Sequence, residues 1–199
     1  MTALVLGTHN RKKGLELADL VAPWRIEVRT LADYPQALAV VEDGDSFAAN
    51  ARLKAQRQAA HLNAWVLGED SGLAVDALQG APGIFSARYS GPEATDERNN
   101  ARLLEELAGV PAERRAAHYV CWAVLANPSG DVVAEASGEC HGRILRVPRG
   151  TAGFGYDPLF EIPEYHRTFA ELGGAVKGCL SHRARAMRKI LPQLVAFLA

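Results

Sequence analysis

The sequence predicts an α/β fold with a mixed sheet, and three observations predict it. Short apolar runs alternate with helical patterns along the first half, and a turn-linked pair of strand-like runs follows. The 199 residues also contain neither an internal repeat nor a low-complexity tract, so one domain, or two fused lobes, accounts for the length.

The elements follow in order. Residues 3–6 form an apolar strand stopped by Gly7-Thr8-His9-Asn10, and a helical pattern runs on through Leu20. Residues 26–28 read as a second strand. Ser46 is placed to cap a helix reaching about Leu62, because no Gly or Pro interrupts that stretch. Residues 64–67 are a buried strand that stops at Gly68-Glu69-Asp70-Ser71-Gly72. A Gly/Pro-rich stretch spans 80–91, and a helix follows over 96–107. Residues 117–125 and the run from Val132, separated by Asn127-Pro128-Ser129-Gly130, predict an antiparallel hairpin. A Gly-rich segment over 150–158 leads to a last helix beginning near Ser181.

Composition excludes several classes of function. With 48% hydrophobic and 23% charged residues the chain is not a disordered one. Folding buries about 70% of the surface that the unfolded chain exposes, enough for a core without covalent staples. The 22 basic residues balance 23 acidic ones, and a net charge of -1 argues against bulk electrostatic binding to nucleic acid. Any anion is gripped by a local cluster. The three cysteines, Cys121, Cys140 and Cys179, lack metal-site spacing and read as reduced thiols. The apolar run over 120–126 is too short to span a bilayer. At the N-terminus the basic residues follow the apolar stretch, the reverse of a secretory signal. The expected location is the cytoplasm.

Five segments carry candidate chemistry. Thr8, His9, Asn10, Arg11, Lys12 and Lys13 lie between a strand and a helix, where free N–H groups and the positive end of the helix dipole suit a phosphate chain. A solvated basic helix start is the plainer alternative. Asn50 and Lys54 are four apart and share a helix face opposite Ala51, Ala55 and Ala59; taken alone they read as solvated. Glu69 and Asp70 follow a buried run, and adjacent carboxylates there suggest a hard cation such as Mg²⁺, against an ordinary acidic turn. Asp70-Ser71-Gly72 echoes a serine-protease nucleophile segment, but only His9 and His61 precede it. Gly153-Phe154-Gly155-Tyr156-Asp157-Pro158 permits close backbone approach and offers rings to stack a base, unless the rings are core. Lys177 and Ser181-His182-Arg183 place basic residues at a helix start, where they oppose the dipole and ask for an anion or acceptor. Arg114 and Arg115 read as solvated surface.

These segments, in this order and over nearly the whole chain, resemble the inosine triphosphate pyrophosphatase family. The matching stretches are residues 8–13, Glu42-Asp43-Gly44 with Ser46-Phe47, Asn50-Ala51 and Lys54-Ala55, residues 69–73, Gly80-Ala81-Pro82-Gly83, Ser86 to Gly91, Gly153 to Pro158, and Ser181-His182-Arg183. The resemblance implies a mixed, elongated sheet flanked by helices in two lobes with a central cleft, 1–199 forming one such domain, and a homodimer. It implies Mg²⁺-dependent hydrolysis of non-standard purine nucleoside triphosphates, inosine (ITP), deoxyinosine (dITP) and xanthosine (XTP) triphosphates, to monophosphate and pyrophosphate. Thr8, Asn10, Lys13 and Lys54 would grip the triphosphate within the stretch that also holds His9, Arg11 and Lys12, with Ser71 and Arg88 nearby. Glu42 and Asp70 would hold Mg²⁺, and Asp70 would accept the proton of the attacking water. Phe154, Gly155, Tyr156, Asp157, Lys177, His182 and Arg183 would frame the base.

The chain departs from that family's pattern at Glu69, where many members have Asp, and at His9, where Gly or Ser is usual. The competing readings are a nucleotide-binding sensor or RNA-binding module on the same fold, and a pyrophosphatase for modified pyrimidine or methylated nucleotides. Neither nucleic acid nor membrane is an expected partner.

Overall fold

The computed structural model describes residues 3–199; Met1 and Thr2, the start of the N-terminal apolar stretch, lie outside the described residues. The strands are β1 (Ala3–Leu6), β2 (Glu27–Thr30), β3 (Trp65–Val75), β4 (Ala116–Ala126), β5 (Val132–Ile144), β6 (Phe160–Ile162) and β7 (Arg167–Thr168). They form one sheet in the order β2-β1-β3-β4-β5-β6-β7. β1 runs parallel to β2 and β3, whereas β6 is antiparallel to β5 and β7, so the sheet is mixed as expected. The helices are α1 (Arg11–Val21), α2 (Phe47–Leu62), α3 (Asp96–Glu106), α4 (Phe169–Leu180) and α5 (His182–Leu198).

The chain divides into two compact units. The first holds the described residues up to Asp70 with Cys121–Gly138 and Ala186–Ala199; the second holds Ser71–Val120 and Glu139–Arg185. In the first unit the two-residue period of the strands sorts side chains onto two buried faces. Leu4, Leu6, Leu67 and Leu125 meet Leu17 and Val21 of α1 and Met187, Ile190 and Leu194 of α5. Val5, Val66 and Val124 meet Ala51, Ala55 and Ala59 of α2. Each buried Val or Leu contributes about 1.5–3 kcal/mol of transfer free energy, so both faces are firmly set. The second unit has its own core, with Leu73 and Val75 against Leu103, Leu107, Tyr119, Phe160 and Phe169.

Three sequence expectations need correction. β3 does not stop at Gly68: it continues through Glu69 and Asp70 to Val75, because both carboxylates meet lysines instead of turning out to water. Arg115 is not solvated surface. It is 2% exposed, and its guanidinium donates to the carbonyls of Leu107, Val110 and Leu145, closing the end of α3. The segment before Ser181 is a helix, α4, kinked at Gly173 and started by a reciprocal cap in which Thr168 and Glu171 each accept the other's backbone N–H.

Candidate active site

The β1–α1 segment is fixed by its own backbone before any side chain is considered. Gly7 N–H donates to the Leu67 carbonyl at 2.8 Å, and Leu31 N–H donates to the Thr8 carbonyl at 2.9 Å. Asn10 caps α1, its Oδ1 accepting from Lys12 N–H and Lys13 N–H, while Thr8 Oγ1 accepts from Asn10 N–H at 3.2 Å. The basic run is thereby sorted. Arg11 pairs with Asp33 at 2.9 Å, His9 and Lys12 stand exposed, and Lys13 turns to Glu69, with 2.6 Å between Nζ and Oε1.

Strand alternation sends Glu69 and Asp70 to opposite faces, so adjacency in sequence does not make them a carboxylate pair. Leu67 and Glu69 face Leu17 and Lys13 of α1; Val66, Gly68 and Asp70 face α2. Gly68 makes this possible. A Cβ built there would stand 2.5 Å from the Ala51 carbonyl oxygen and 2.7 Å from the Ala55 nitrogen, so helix and strand touch backbone to backbone. The close approach brings Lys54 Nζ to 2.8 Å from Asp70 Oδ1 and 3.0 Å from a Glu42 carboxylate oxygen.

Asn50, one turn earlier on α2, is fully buried rather than solvated. Its Nδ2 donates to Asp70 Oδ2 at 3.3 Å and its Oδ1 accepts from Gly44 N–H at 2.9 Å, tying the segment that carries Glu42 to Asp70. The i,i+4 spacing with Lys54 signalled a shared face; burial was what the sequence did not disclose. Burial pushes the Asp70 carboxyl above the ordinary carboxylate range, and Lys54 only partly offsets it. Burial opposes the charge on Lys54 as well, but Asp70 and Glu42 outweigh it and raise that pKa. The result is Lys54 held between Glu42 and Asp70 on one face of β3 and Lys13 paired with Glu69 on the other, all within the first unit.

In the second unit, residues 153–157 wrap around a fully buried Asp157. Its Oδ2 accepts from Phe154 N–H at 3.0 Å and from Lys177 Nζ; its Oδ1 has no hydrogen-bond partner among the described residues. Gly153 has φ +86°, and a Cβ there would lie 2.1 Å from Asp157 Oδ2, so the turn requires glycine twice over. Burial raises the Asp157 pKa, with Lys177 pulling the other way. Lys177 Nζ also lies 4.1 Å from the centroid of the Phe154 ring, which is 65% exposed and presents an open aromatic face. Tyr156 is the opposite case: buried, with its hydroxyl donating to the Ser86 carbonyl at 2.8 Å.

The remaining candidates are placed less closely. Ser181 Oγ caps α5, accepting from Ala184 N–H at 3.2 Å, and His182 stacks on Tyr119 with ring centroids 4.7 Å apart and 10° between planes. Arg183 follows in the first turn of α5. Arg88 is exposed over the Phe85 ring, 5.2 Å from its centroid, and Ser71 is half-buried next to Asp70 on β3.

Residues 4–193 match the model of the Ham1 family. The chain belongs to the Ham1 family. Its relatives include a dITP/XTP pyrophosphatase of Rhodopirellula baltica, 54% identical over 98% of this chain and 94% of that one. A dITP/XTP pyrophosphatase of Listeria monocytogenes is 44% identical over 98% of this chain and 96% of its own length. Among solved structures, a HAM1 protein from Coxiella burnetii superposes with a TM-score of 0.92 at 34% identity, covering 98% of this chain and all (100%) of that chain. A nucleoside-triphosphatase / dITP/XTP pyrophosphatase from Mycobacterium abscessus gives 0.80 at 40% identity, covering 97% and 100%.

Proposed function

We propose that the chain hydrolyses non-standard purine nucleoside triphosphates, dITP, XTP and ITP, to the monophosphate and pyrophosphate. The observation that carries this reading is the first-unit group: Lys54 held between Glu42 and Asp70, with Lys13 on Glu69 across the same strand. Cleavage between the α- and β-phosphates requires charge to be neutralised on the leaving pyrophosphate and a base for water. Lys13 and Lys54 supply the first, and Asp70, with its raised pKa, supplies the second. The names of the relatives give the substrate class.

The donor set fits a magnesium ion. Glu42 and Asp70 offer hard oxygen ligands around one shared cationic point, now occupied by the Lys54 ammonium. No group of three or more His, Cys, Asp or Glu side chains poised for a metal occurs among the described residues. Two carboxylates suit Mg²⁺, which is ordinarily held by one or two of them together with substrate phosphates. When bound it would supply charge neutralisation on the phosphates. Thr8, Asn10 and Lys13 would bind the phosphate chain; Phe154, Asp157, Lys177, His182 and Arg183 would frame the base. The reading also carries a homodimer acting in the cytoplasm. No helix among the described residues is long and apolar enough to cross a membrane.

Phosphorus NMR of a reaction with ITP and Mg²⁺ tests the bond cut: pyrophosphate and the monophosphate should be the first products. Orthophosphate with a nucleoside diphosphate would overturn the placement of Lys13 and Lys54 on the leaving group. A nucleotide sensor would bind ITP without forming either product.

Base choice gives a second expectation. The Arg183 guanidinium only donates hydrogen bonds, so it suits a 6-keto oxygen and not the 6-amino group of adenine. A donor left unpaired at a desolvated site costs about 1–3 kcal/mol. ITP and XTP should therefore be turned over with much larger kcat/KM than ATP, and Arg183→Ala should erase most of that difference. Equal kcat/KM values for ITP and ATP in the unmodified enzyme would remove Arg183 from base selection.

A further inference from the structure

The peptide at the centre of the 153–157 turn is held by α3. Gly155 N–H donates to Asp96 Oδ2 at 2.6 Å, and the Gly155 carbonyl accepts from Asn100 Nδ2 at 2.9 Å. Asp96 and Asn100 are four apart on α3 and share one helix face. Both polar backbone groups of the residue between Phe154 and Tyr156 are thus gripped by one rigid surface. Asn99 extends the grip to the neighbouring segment. Its Oδ1 accepts from the Ser90 N–H and hydroxyl, each at 2.8 Å, and its Nδ2 donates to the carbonyls of Ser86 and Ala87. Ser86 is the residue whose carbonyl takes the Tyr156 hydroxyl.

Helix formation does not require this arrangement. A carboxylate at the first position of a helix is ordinarily a dipole partner, but α3 already has its cap in Thr95, whose Oγ1 accepts from Arg98 N–H at 3.2 Å. The Asp96 carboxylate instead reaches a residue 59 positions along the chain. The Asn100 amide is committed in the same direction: its Oδ1 is buried without a hydrogen-bond partner among the described residues, and reversing the amide would set that oxygen against the Gly155 carbonyl. The geometry keeps the donor on Gly155 at the expense of an orphaned acceptor, which marks the Gly155 contact as the one the position serves.

We propose that Asp96 and Asn100 are positioning residues for base selection, fixing the Gly155 peptide and with it the exposed Phe154 ring. The inference rests on the reading above that residues 154–157 frame the base. Asp96 and Asn100 hold the turn assigned to the base and not the groups assigned to the phosphates, so their loss should register on the base and not on the phosphates.

The test measures kcat and KM for ITP and ATP, the Ki of inorganic triphosphate, and the thermal midpoint. The variants are Asp96→Ala, Asp96→Asn, Asn100→Ala, Asn100→Asp and Phe154→Ala. Asp96→Ala should raise KM for ITP and lower the ITP-to-ATP ratio of kcat/KM about tenfold, with the Ki of inorganic triphosphate held. Asp96→Asn keeps an oxygen for Gly155 N–H and should restore most of the ratio. Asn100→Asp, which sets a carboxylate against the Gly155 carbonyl, should lose more than Asn100→Ala. If Asn100→Asp does not fold, the Asp96 pair decides. A lowered midpoint with KM and ratio unchanged in the α3 variants would make Asp96 and Asn100 merely structural and overturn the proposal. Unchanged KM values for both nucleotides in Phe154→Ala would overturn the base-loop reading itself. A loss in Phe154→Ala alone would leave that reading standing and sink only the assignment to α3.

Discussion

Asp70→Asn will fold and bind nucleotide, and will turn over at least ~10²-fold more slowly than the unmodified enzyme. The side chain sits where a base is useful: 2.8 Å from Lys54 Nζ, one residue from Lys13's partner Glu69, on a strand buried on both faces. Asn keeps the shape and one oxygen for Lys54 but loses the charge and nearly all basicity. General-base loss accounts for roughly 10²–10⁴ in rate, and weaker metal binding adds to it.

Stability should change little. Asp70 is a carboxylate already disfavoured by burial, so its replacement by a neutral amide relieves a desolvation penalty while loosening an ion pair. Some strain arises at Asn50, whose Nδ2 now meets an amide and cannot turn over because its Oδ1 holds Gly44 N–H. Thermal midpoint, ITP affinity and kcat measured on one preparation distinguish the roles. If Asp70 only anchors Lys54 and Asn50, the variant will melt earlier and keep near-normal kcat, and Asp70 leaves the mechanism.

The reach of the sequence can be judged residue by residue. α2 was legible to its cap, since Ser46 accepts from Ala49 N–H and the alanine stripe packs inward as its spacing required. The β4–β5 connection was legible for the same kind of reason: Asn127 Oδ1 accepts from the N–H groups of Ser129 and Asp131, the local bonding that favours Asn at turns. What misled was charge inside a strand. Glu69 and Asp70 look like a turn because isolated carboxylates avoid sheets; only tertiary pairing with Lys13 and Lys54 reverses that, and pairing is not written in local sequence.

α4 was illegible because glycine, at about 1 kcal/mol against helix relative to alanine, recurs at 173, 174 and 178. β6 and β7, at 3 and 2 residues, are shorter than any periodicity can register. The candidate residues themselves were found through family resemblance more than through physics. Asn50 was read as solvated, and Asp96 and Asn100 were passed over, because amides and helix-start acids are commonplace on surfaces; their burial or their distant partners set them apart.

Gly68→Ala should injure the enzyme far more than the addition of one methyl group suggests. The new Cβ would stand 2.5 Å from the Ala51 carbonyl oxygen, 2.7 Å from the Ala55 nitrogen and 2.9 Å from the Ala55 Cβ. Two of these are backbone atoms in the middle of a helix and cannot swing aside as a side-chain tip would. α2 must lift off β3, opening the contact of Val5, Val66 and Val124 with Ala51, Ala55 and Ala59. Overpacking of this kind destabilises by about 1–3 kcal/mol. The same displacement carries Lys54 and Asn50 away from Asp70, since both contacts depend on the helix lying against residue 68. A shift near 1 Å at a reacting group can cost about 10²-fold in rate, so kcat should fall by that order even in the folded fraction. Gly109→Ala is the matched control: a Cβ there meets nothing within 4 Å, and both stability and turnover should hold. The deciding quantity is kcat per folded molecule, with the folded fraction taken from the thermal transition. A lowered midpoint with normal kcat would mean that α2 can rise without moving Lys54 relative to Asp70, and the claim that Gly68 sets the geometry of the site would fail.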